Sequence, residues 1–178
     1  MFQSLTVLAA LAQVTAATAD APQTAVDAFT GLEGNWQGQL EYRDYQSDTM
    51  QAIPMRVEFD TIPDKTTFLQ RAEFTDPGFP VRITTLINVA GADTNVAISR
   101  AGRPFETYTQ NARLAPGAIA DSWTITFTRV GEDDNRPAAI REVMTRKAES
   151  LTVTKEVDFL DDEAAEWVFR NRVSLSSE

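Results

Sequence analysis

Ten polar side chains interrupt runs of alternating apolar residues in this chain, and whatever chemistry it performs falls to them. Tyr42 follows Leu40, Gln70 sits between Phe68 and Ala72, and Arg100 follows Ile98. Thr107 and Thr109 follow Phe105, Arg129 follows Phe127, and Glu142 and Arg146 flank Met144. Lys155 lies between Val153 and Val157, and Asn171 between Phe169 and Val173. In an extended strand a polar residue two places from an apolar one shares its face. These ten are therefore expected to point inward, together with Asp44 beyond Tyr42.

Burying charge is costly unless it is paired, hydrated or bound to a ligand. Two arrangements compete. In one, Arg100, Arg129, Arg146 and Lys155 gather around the anionic head of a ligand, with Tyr42 and the threonines donating hydrogen bonds and phenylalanines holding an apolar tail. In the other, the cations pair with Glu142 and Asp44, or emerge into water at strand ends. Glu142 and Lys155, placed mid-strand, discriminate best between the two.

Other chemistries are excluded by composition. The 178 residues include no cysteine and no histidine. Disulfides, thiol nucleophiles, imidazole bases, histidine-ligated haem and the common zinc sites all fall away. No catalytic residue, metal site or cofactor is assigned. The acidic runs "GEDDN" and "LDDEAAE" lack the spacing of a calcium loop and read as solvated turns. A formal charge of −10 argues against nucleic acid and anionic membrane surfaces, which call for clustered positive charge.

The elements that must position these side chains are mostly strands. The opening "MFQSLTVLAALAQVTAATA" carries no charged side chain and ends in small residues, so residues 1–19 read as a secretory signal. The apolar run is too short to span a bilayer. Residues 20–178 form one domain of ordinary size, exported to a periplasm or secreted. "DAPQTAVDAFTGLEG" places Ala25, Phe29 and Leu32 at helical spacing, predicting one short helix. From Trp36 onward the period is two, as in "SWTITFTRV" and "SLTVTKEVDF". Roughly ten strands joined by short turns predict an all-β fold, an antiparallel up-and-down barrel whose closure removes exposed edges. A β-sandwich is the alternative.

A short helix leading into Gly34-Asn35-Trp36, a meander of strands, and Arg170 and Arg172 on the last strand together resemble the calycin superfamily of lipocalins, fatty-acid-binding proteins and nitrobindin-like barrels. The resemblance implies that Gly34 and Trp36 open the first strand, and that Arg170 or Arg172 packs across the indole to close the barrel base. It also implies sequestration of a small apolar or amphipathic molecule in the interior. Two alternatives stand beside that function: a metal-free isomerase or cyclase using Glu142 as an acid, and a solid barrel whose outer face docks an envelope protein.

Overall fold

A computed structural model describes residues 24–44, 47, 49–75, 78 and 80–178; the expected signal, residues 1–19, lies outside the described residues. One helix, α1 (Ala25–Thr30), precedes ten strands: β1 (Gly34–Asp44), β2 (Thr49–Thr61), β3 (Thr67–Phe74), β4 (Val81–Ala90), β5 (Asp93–Arg100), β6 (Glu106–Leu114), β7 (Ser122–Asp133), β8 (Arg136–Lys147), β9 (Ser150–Phe159) and β10 (Val168–Ser177). Each strand pairs antiparallel with the next, and β10 returns to pair with β1, closing the barrel. Closure uses the first and last strands to satisfy each other's backbone groups, which an open sheet would leave as exposed edges.

Alternation decides which side chains fill the interior. On β7, Trp123, Ile125 and Phe127 are buried while Thr124, Thr126 and Thr128 face outward, and Thr124 meets Thr145 of β8 across the outer surface at 3.1 Å. The turn between β7 and β8 is tighter than the sequence run "GEDDNRP" suggests. Asp134 and Asn135 both take positive φ, 54° and 57°, the left-handed pair that suits the twist of a two-residue hairpin. Strand pairing therefore continues to Asp133 and Arg136.

Helix α1 stops one end of the barrel. A reciprocal capping box starts it, with the Asp27 amide donating to Thr24 Oγ1 and the Thr24 amide donating to Asp27 Oδ2. Its Phe29 stacks on Phe68 of β3 with centroids 5.2 Å apart and tilts against Phe127 at 6.1 Å. Leu32 is fully buried behind it and accepts a 2.8 Å hydrogen bond at its carbonyl from Trp36 Nε1. Gly34, at φ +125°, makes the turn from this plug into β1. Further along β1, Gly38 lets β10 approach so closely that a Cβ there would fall 1.9 Å from the Ser174 carbonyl oxygen.

One expectation about this closed end is corrected. Arg170 and Arg172 do not reach Trp36. Because β10 runs antiparallel to β1, Trp36 lies opposite Ser177, whereas Arg172 lies opposite Glu41 far along the strand. The cation over the indole is Arg146, from the end of β8, with its guanidinium 5.8 Å from the ring centroid. Arg146 also donates to the carbonyls of Gly31 and Ala148, tying α1 to the barrel wall. Arg172 is exposed, 5.7 Å from the ring of Phe169.

Candidate functional site

Above the aromatic floor of Phe29, Phe59 and Phe127 lies an interior cavity of about 350 Å³. Its lower wall is apolar, with Ile87, Met144 and Leu151 among the lining side chains. Gln70, Tyr108, Gln110, Glu142, Lys155 and Asn171 bring polar groups to it.

Register explains how four of the polar side chains align. Glu142 of β8 pairs with Lys155 of β9, Lys155 with Asn171 of β10, and Asn171 with Tyr42 of β1. Directly opposed residues of neighbouring strands share a face, so the four form one inward row around nearly half the barrel wall. Beside it, Lys155 Nζ donates to Asp133 Oδ1 at 2.7 Å, and Arg170 Nη2 reaches Asp133 Oδ2 at 2.5 Å. A register shift between Phe169 and Asn171 turns Arg170 toward this acid. Asp133 is 9% exposed at its side chain, so one buried carboxylate holds two largely buried cations.

Glu142 sits differently. Burial pushes its carboxyl above the usual carboxylate range, while the charges of Arg129 and Lys155 pull the other way without cancelling it. Tyr108 is pushed up to about 12, first by burial and then by the negative charge of Glu142, against the opposing pull of Arg129. Its phenol stays protonated and can donate a hydrogen bond. Arg129 lies over the Tyr108 ring, 4.2 Å from the centroid. The group therefore combines a neutral hydroxyl donor, an acid disposed to hold its proton and two cations, all beside apolar wall.

Several residues singled out in the sequence lie elsewhere. Thr107 and Thr109 are on the outer face, where Thr109 Oγ1 donates to Asn95 at 2.8 Å. Counting from Phe105 gave the wrong parity, because Phe105 precedes β6 and is 66% exposed. Val96 of β5 is buried and pairs with Tyr108, which fixes Tyr108 and Gln110 as the inward residues. Arg100 is at the open end, 3.6 Å from Glu106, and Arg146 is at the closed end. Neither joins Lys155. Asp133 was hidden in a run that reads as a solvated turn; its even spacing from Arg129 and Phe127 is the signal that would have placed it inside.

With the geometry in hand, the barrel can be set beside known structures. It is similar to the crystal structure of Rv2717c from M. tuberculosis. The two agree with a TM-score of 0.61 at 13% identity, over 86% of this chain and 97% of that one. At that identity the likeness is one of fold. The sequence matches no protein-family model and no curated protein.

Proposed function

We propose that this chain is an exported calycin-like barrel that sequesters a small amphipathic molecule in its interior. The observation that carries the reading is the cavity itself: a largely apolar wall with Tyr108, Glu142, Lys155 and Asn171 converging on one side. Apolar burial supplies most of the affinity of such a site, and a few polar groups fix orientation. An anionic head suits the polar side, because the Tyr108 hydroxyl can donate to it and the cations Arg129 and Lys155 attract it, while burial raises the Glu142 carboxyl and so eases its holding a proton. The similarity of fold to another antiparallel barrel is compatible with this reading. The charge-free opening of residues 1–19 supports export to a periplasm or beyond, with cleavage after Ala19. Ligand capture needs no nucleic acid and no membrane insertion; among the described residues no helix is long and apolar enough to cross a membrane.

Native mass spectrometry of the exported protein, purified from its host without detergent, tests both parts. The expected result is a polypeptide beginning at Asp20 with a small molecule attached that leaves on denaturation. A bare mass, persisting after lipid extracts are offered, counts against the carrier. A second reading, proton-transfer catalysis in the same cavity, is favoured by Glu142 alone, an acid raised by burial beside a phenol. Turnover of the released molecule that is abolished by Glu142→Gln would select it.

A further inference from the structure

The barrel is not zipped along its whole circumference. Between β6 and β7 the register runs only from Asn111 opposite Thr128 to Leu114 opposite Ile125. Toward the open end, residues 106–110 of β6 pair only with β5, and residues 129–133 of β7 pair only with β8. Two strands at the same height thus splay apart, leaving a seam in the wall. The cavity abuts it, since Gln110 and Tyr108 on one side and Phe127 on the other line the interior.

Arg129 occupies the gap. If the ladder continued, Tyr108 would stand opposite Gly131 and Thr109 opposite Val130. The guanidinium of Arg129 instead rests on the Tyr108 ring and over Gly131, where a Cβ would fall 2.6 Å from its Nη1. Glycine at 131 makes the bed in which the cation lies. Arg129 Nε is buried there without a hydrogen-bond partner, and the guanidinium is held to Tyr108 by its stacking on the ring and a side-chain hydrogen bond. Apolar side chains stand exposed beside both lips, Phe105 just before β6 and Val130 on β7, at 66% and 75%.

We propose that the β6–β7 seam is the lateral portal through which an amphipathic ligand reaches the cavity, and that Arg129, stacked on Tyr108, is its gate. The proposal rests on the carrier reading. Displacing the guanidinium opens a path between the strands, past Phe105 and Val130, that leads directly to the polar row. The cation also meets an incoming anionic head before the tail is buried. Arg129 then positions the ligand, and the strands need not unzip.

The absence of native cysteine makes the test clean. In the double variant Thr109→Cys/Val130→Cys, oxidation closes the seam from outside, and stopped-flow fluorescence follows uptake of 1-anilinonaphthalene-8-sulfonate, an anionic amphiphile. The locked protein is expected to take up and release the probe at least about tenfold more slowly at nearly unchanged Kd, with reduction restoring the wild-type rates. Gly131→Ala, which crowds Arg129 off its bed, is expected to speed both uptake and release by about tenfold, the order of factor lost with one cation–π contact. This second variant decides the matter if the cysteines do not cross-link. Uptake at the wild-type rate in the locked form, or in Gly131→Ala where no lock forms, overturns the portal and leaves the carrier standing. Failure of the wild type to bind the probe at all overturns both.

Discussion

Glu142 and Asp133, on the neighbouring strands β8 and β7, are two acids in different surroundings. Asp133 meets two cations at hydrogen-bond distance, Lys155 at 2.7 Å and Arg170 at 2.5 Å. Glu142 is nearly enclosed and feels its cations at longer range, and desolvation wins. A carboxyl whose folded pKa is raised leaves stability intact below its unfolded value and removes it as pH climbs through the folded value. Glu142→Gln is therefore expected to match the wild type in urea midpoint at about pH 4 and to exceed it increasingly toward about pH 8. Parallel curves would show that the carboxyl titrates normally. Asp133→Asn is expected to act in the opposite sense, lowering stability by about 3 kcal/mol at neutral pH because Lys155 and Arg170 are left partly buried without their counter-charge. Chemical denaturation measures it, and a loss below about 1 kcal/mol would mean that the two cations find water.

At the scale of elements, alternation carried most of the information. Each of the ten strands follows a run whose apolar residues recur every second position, and the helix follows Ala25, Phe29 and Leu32. Parity failed at β6, where Phe105 lies outside the strand and misdirected the count. It also understated β7, since "GEDDN" conceals a strand end and a left-handed hairpin turn. Trp36 was legible as the start of the first strand, but its cationic neighbour was not. Which arginine reaches the indole depends on the antiparallel register of β10 and on the length of β8, both properties of the closed barrel rather than of any local run. Gly38 is a similar case: its need for a hydrogen at Cα comes from the Ser174 carbonyl of a strand almost the whole chain away. Gly38→Ala is expected to cost about 3 kcal/mol or more, since backbone on both sides must shift. A thermal melt within a few degrees of the wild type would show that β1 and β10 can separate there without loss.

The closed barrel, plugged at one end by α1, keeps a cavity of about 350 Å³ above its packed aromatic floor. Polarity is distributed accordingly. The plug and floor are apolar, the row from Glu142 to Tyr42 is polar, and the outer surface carries cross-strand ion pairs such as Arg141 with Glu156 and Arg71 with Glu58. The most direct measurement is calorimetric titration of a long-chain carboxylate into the wild type and into Val153→Phe, a substitution that adds a ring to the cavity wall. One saturable site per chain is expected in the wild type, weakened at least about tenfold in a variant whose thermal midpoint is unchanged or raised by the filled space. Equal affinity in both proteins, or no binding by the wild type, would contradict it.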